Sequence, residues 1–221
     1  MKLSKRTIGL LKNYASINPS IFIPAGNLLQ TIAISKNIVS YSEADESFPV
    51  DFAIYDLFEF LSVIDLFKDP DFEFEENSVT ISDDGSKCTY IYAEKTIIEY
   101  PKHKLNFPAA DIQFKLTKDQ LEKLLKAANT LGLPTLCITK DGTNIIVKVV
   151  DPKNPTSNSY SCVVGEDTSS YSYEFYIKHE HMKMVKDDYD VAISRKLISQ
   201  FISTDEVEYY CALEKNSTFS E

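Results

Sequence analysis

The chain has 221 residues, 43% of them hydrophobic and 25% charged, with a formal net charge of -10. That balance excludes a disordered or fibrous protein, and no run approaches the ~20 apolar residues of a membrane-spanning helix. The N-terminus is too polar for a signal peptide, and four scattered cysteines without a CxxC pair read as reduced, small, buried side chains of a cytosolic protein.

The charge is spread unevenly. Residues 1–42 carry +5 and no carboxylate, residues 43–84 carry fourteen acids against Lys68 alone, and the remainder is close to balanced. Such asymmetry points to a partner of one sign met by one part of the surface. A solvated basic helix is the plain alternative.

Ser4 is a good N-cap, and a helix is predicted over Ser4–Ile17. At 100° per residue its apolar side chains share one arc, while Lys5, Arg6, Lys12 and Asn13 gather on the other. SIFIP and LLQTIAIS read as strands, as does VDFAI. A second helix, nearly apolar all round, is expected over about 56–67, interrupted by Asp56, Glu59 and Asp65. DFEFEE, SVTIS and KCTYIYA are strands, with DDGS as a hairpin turn. YPKHKLNFPAA, residues 100–110, breaks the alternation and divides the chain into domains 1–105 and 106–221. DIQFKL follows as a strand. Thr117-Lys118-Asp119-Gln120 then fits a capping box, leading Leu121, Leu124, Leu125, Ala128 and Leu131 at helical spacing, with Lys123 and Lys126 facing away. Gly132 and Pro134 stop that helix. TLCITK, NIIVKVV, SYSCVV, SYEFYI, DYDVAIS and EVEYYCAL are strands, and a short fourth helix is expected over about 179–186 (HEHMKMVK).

The order strand, helix, strand, turn, strand occurs three times, and the N-terminal helix with its two strands is a shortened first copy. Four such units suggest two domains of two units each, in α+β architecture with helices covering antiparallel sheets.

Catalytic motifs are absent: there is no GxSxG, P-loop, GxGxxG or HExxH, and six glycines are few for a phosphate-cradling loop. His179 and His181 would diverge on a helix and read as a surface pair, so no metal is expected. Asp69–Glu76 lacks the glycine and ligand spacing of a calcium loop. No cofactor is expected, and a binding protein is favoured over an enzyme.

MKLSK-x-T-x-x-LLKN-x-A-x-IN at 1–18, AIYDLxxFL at 53–61, LxxLLK with xITK-x-G at 121–142 and ALExxST at 212–218 together resemble the sliding clamps of T-even-type bacteriophages. The resemblance implies two similar clamp domains per chain, closing as a homotrimeric, pseudo-sixfold ring with helices around the hole and sheets outside. It implies a non-catalytic processivity factor in the host cytoplasm that encircles double-stranded DNA without sequence preference. Its partners would be a clamp loader, the phage DNA polymerase, and in late transcription a sigma-like factor and a co-activator.

Lys5 and Lys12 match basic residues on the family's first helix, and Lys126 one on its third. Arg6 and Asn129 depart from the family's best-known member, which is acidic at the first position and has Arg at the second. Helix geometry adds Lys123 to the DNA-facing set, and Lys118, Lys183 and Lys186 complete it. Ile97, Ile98, Tyr100, Leu105 and Phe107 are apolar enough to wall a partner-peptide pocket. An acidic interaction scaffold or DNA-mimicking decoy is the alternative that segment 43–84 leaves open.

Overall fold

A computed structural model describes residues 1–221, which separate into two units, Met1–Lys104 and Leu105–Glu221. Unit 1 runs α1 (Lys5–Ile17), β1 (Ile21–Ile23), β2 (Gly26–Ile32), β3 (Ile38–Phe48), β4 (Phe52–Ile54), α2 (Leu57–Ile64), β5 (Asp71–Phe74), β6 (Ser78–Asp83) and β7 (Ser86–Ile91). Unit 2 runs β8 (Ile112–Leu116), α3 (Lys118–Leu131), β9 (Thr135–Asp141), β10 (Asn144–Val150), β11 (Tyr160–Glu166), β12 (Ser172–Lys178), β13 (Tyr189–Ser194), β14 (Ile198–Ser203), β15 (Glu208–Ala212) and β16 (Thr218–Ser220). No helix is long and apolar enough to cross a membrane.

In unit 1 the Ser4 hydroxyl accepts from the Thr7 amide and starts α1. Leu10, Leu11, Tyr14, Ala15 and Ile17 are buried, and the helix packs on β2, β3 and α2. A polar seam fixes its register on β3. Thr7 donates its hydroxyl to Glu46 at 2.6 Å and accepts from the Asp45 amide at 3.1 Å. The buried Tyr14 hydroxyl meets Ser42 at 2.8 Å and accepts from Ser40 at 3.0 Å. β5, β6 and β7 form a meander, and the β6–β7 turn at Asp84-Gly85 holds both residues at positive φ, as the DG hairpin signal requires. Met1 exchanges two backbone hydrogen bonds with Phe72, so the outer edge of β5 is occupied. The outer edge of β7 is open.

In unit 2 one antiparallel sheet runs β11-β10-β9-β12-β16, and β15-β14-β13-β8 are hydrogen-bonded in that order. Both parts of the Thr117–Gln120 capping box form, and Gly132 ends α3 with φ +65°. Leu121, Leu124 and Ala128 face β10 and β11. Leu125 is only half-buried and Leu131 is 39% exposed, so the expected apolar stripe is wider than the face this unit buries.

Four expectations need correction. The second helix is shorter, from the Asp56 N-cap to Ile64, and Leu66 beyond it is exposed. The fourth helix does not form. His179–His181 make one 3-10 turn without a side-chain cap, and the chain then runs on without a helix, with Met182 and Met184 buried on either side of exposed Lys183. The histidine pair is not a surface pair either, because His181 is buried. Of the four cysteines only Cys137 and Cys211 are buried; Cys88 and Cys162 are half-exposed on the edge strands β7 and β11.

Candidate nucleic-acid interface

Two helices in different units present matching solvent stripes. On α1 the exposed positions are Lys5, Gly9, Lys12 and Ser16; on α3 they include Asp119, Lys123, Lys126 and Thr130, at the same spacing. The buried positions correspond too: Thr7, Leu10 and Tyr14 against Leu121, Leu124 and Ala128. Lys12 and Lys126 therefore occupy equivalent places, each opposite the face that its own unit buries.

The first turn of α1 holds Lys5 and Arg6 and no acid. Cations there oppose the helix macrodipole, which favours anions at an N-terminus by about 0.3–1 kcal/mol. Local helix energetics thus do not explain them. For Arg6 a structural explanation exists: its guanidinium donates to the Glu43 carbonyl at 2.7 Å and to Asp45 at 3.1 Å, which ties it to β3. Arg6 is thus tied within its own unit, as Lys12 and Lys123 are by their own carboxylates. Lys5 makes no ion pair, and neither do the side chains of Lys118 and Lys126. Lys12 lies 3.2 Å from Asp65 and Lys123 2.7 Å from Asp119. Lys186 pairs with Glu122 at 3.5 Å, and with Lys183 it lies outside any helix.

Of the apolar candidates, Ile98 is buried against Phe22 and Ala53 in the core of unit 1, which removes it from any open pocket. Ile97 is 60% exposed, and Tyr100 is half-buried with its ring 4.7 Å from Phe22. In unit 2, Leu105 and Phe107 are half-buried, the Phe107 ring lying 6.3 Å from Tyr210. Lys95 and Lys102 stand over the rings of Phe22 and Tyr100 at 3.7 and 3.4 Å, contacts that composition alone did not reveal.

Thiol chemistry is suppressed where the cysteines are buried: desolvation pushes Cys137 up to about 11 and Cys211 up to about 12. His181 is shifted down by the same cause, against the pull of Glu180.

The PCNA of A. fulgidus, solved with the C-terminal region of FEN-1, is similar to this chain with a TM-score of 0.72 at 8% identity, over 98% of each chain, which makes this the fold of the DNA clamps. The sliding clamp of Vibrio phage KVP40 is 34% identical over 97% of this chain and 99% of its own, and that of Enterobacteria phage T4 is 32% identical over 99% of both. The model for the DNA polymerase processivity factor matches residues 2–97, and that for the gp45 sliding clamp, C terminal, matches 113–215. The chain belongs to the phage sliding clamp family, the DNA polymerase processivity factors.

Proposed function

We propose that three copies of this chain close a pseudo-sixfold ring around duplex DNA, with residues 1–105 and 106–221 as its two clamp domains and no catalytic step of its own. The observation that carries this reading is the matched pair of solvent stripes, with lysine at equivalent positions of α1 and α3. DNA presents about one negative charge per 1.7 Å of axis, so scattered lysines attract it at every register. A ring that slides needs phosphate contact without base readout, because base readout would arrest it. Lys5, Lys12, Lys118, Lys123, Lys126 and Lys186 supply that contact, and the acidic remainder of the surface discourages DNA elsewhere.

Two open strand edges support ring closure. β7 ends the three-stranded sheet of unit 1 with Ile91 68% exposed, and β11 ends the five-stranded sheet of unit 2 with Val163 52% exposed. Strand edges with exposed apolar side chains are templates for pairing. Addition of β7 of one copy to β11 of the next is a heterologous contact, which closes where the rotation permits. It would also cover Leu131 and the exposed Phe58 of α2.

In the host cytoplasm a clamp loader would open this ring, the phage polymerase would be tethered by it, and a late sigma-like factor and a co-activator would use it in transcription. The terminal peptide of FEN-1 on a clamp supports docking by short partner peptides. Ile97 and Tyr100 offer apolar surface for one on unit 1.

The decisive experiment compares retention on nicked circular and linear DNA after loading. Stable retention on the circle with loss from free ends is expected, and the Lys5→Glu/Lys12→Glu/Lys126→Glu variant should be retained less while keeping its oligomeric mass. Equal loss from both DNAs would remove the encircling ring and favour an acidic scaffold.

A further inference from the structure

The lysines of this face are of two kinds. The ammonium groups of Lys5, Lys118 and Lys126 have no carboxylate partner, whereas those of Lys12, Lys123 and Lys186 are each held by an acid of their own unit: Asp65, Asp119 and Glu122. We propose that these three acids are positioning residues for sliding, holding the lysines in exchangeable ion pairs so that the ring grips phosphate weakly. The inference rests on the DNA-facing reading of the lysines.

Asp65 is the informative member. It is the C-cap of α2, whose last turn has no basic residue. A carboxylate at that end opposes the helix macrodipole, so α2 gains nothing from it. Its partner comes from a different helix, 53 residues earlier in the chain. Asp119, by contrast, lies in the first turn of α3, where a carboxylate is favourable on its own account.

The pairing has a consequence for DNA. A lysine about 3 Å from a carboxylate presents a dipole rather than a bare charge, so its pull on a phosphate approaching within the Debye length, about 8–10 Å, is reduced. At contact the balance changes, because exposed ion pairs are worth little and an arriving phosphate can displace the carboxylate. When the phosphate moves on, the carboxylate takes its place again. The lysine passes between two anions and is never left bare, which lowers the cost of each sliding step. Lysines without such a partner would hold each phosphate at full charge.

The test measures binding of the full-length protein to a short fluorescent duplex by anisotropy across sodium chloride concentrations, with oligomeric mass followed in parallel. Asp65→Asn with Asp119→Asn and Glu122→Gln should tighten binding at low salt at least about fivefold, and steepen log K against log salt by up to about 0.9 per released lysine. The variant Asp65→Glu/Asp119→Asn/Glu122→Gln, which keeps a carboxylate beside Lys12, should bring back part of the shallow slope. If the triple variant binds with unaltered affinity and slope while Lys5→Glu/Lys126→Glu weakens binding, the DNA face stands and the exchange is wrong. If the lysine variant is also without effect, the DNA-facing reading fails first and carries the inference down with it.

Discussion

Tyr14 is fully buried, yet its hydroxyl sits among Ser40 and Ser42 of β3, so the ring supplies apolar contact and the oxygen keeps two buried hydroxyls bonded. His181 is buried with a different outcome. Desolvation lowers its pKa in the folded chain below the ordinary 6.5, so the fold holds it neutral. As pH falls through 6.5 the unfolded chain takes up a proton that the folded chain does not, and stability drops until the folded group titrates as well. Urea midpoints measured from pH 7.5 to 5.5 should therefore fall more steeply for the native chain than for His181→Gln; parallel curves would show that the group titrates alike in both states. The solvent-facing lysines of α1 and α3 were legible from the sequence because a helical period of 3.6 sorts each helix into buried and solvent stripes without reference to anything else. Arg6 was not legible, since the carbonyl and carboxylate that claim it lie on β3, 37 and 39 residues later.

At the scale of elements, α3 was the clearest in sequence because its stop and start signals are local. The Thr117 hydroxyl accepts from the Gln120 amide, and Gln120 returns a bond to Thr117, satisfying two groups that a bare helix end leaves unpaired. Thr117→Ala should cost about 1 kcal/mol of unfolding free energy in urea, with the m-value unchanged. β3 is the opposite case. It is the longest strand, 11 residues, and its sequence IVSYSEADESF carries serines and acids that rank low in β-propensity. Those groups are answered by α1: Ser40 and Ser42 by Tyr14, Asp45 by Arg6, and Glu46 by Thr7. A strand whose polar side chains are satisfied by a distant helix has no local signature. The missing fourth helix failed for a local reason. HEHMKMVK has acceptable helix formers but no side-chain cap, and only the 3-10 turn at His179–His181 forms.

At the scale of the whole molecule, a chain of net charge -10 carries exposed lysines on the solvent faces of α1 and α3. In the proposed ring, affinity for DNA would come from enclosure rather than from charge. The proposed ring predicts a light-scattering mass of three times 25.1 kDa at micromolar concentration, whereas a strictly monomeric mass would argue against it. The edges of β7 and β11 differ in sequence, so in the proposed ring each subunit would be a link with a distinct head and tail. A subunit damaged on one edge alone, for example by a charge at Ile91, keeps a sound opposite edge. It can still enter an assembly and ends it there. Such a subunit is a chain terminator, and because one suffices to leave a ring open, a minority of them would disable more rings than their share of the population.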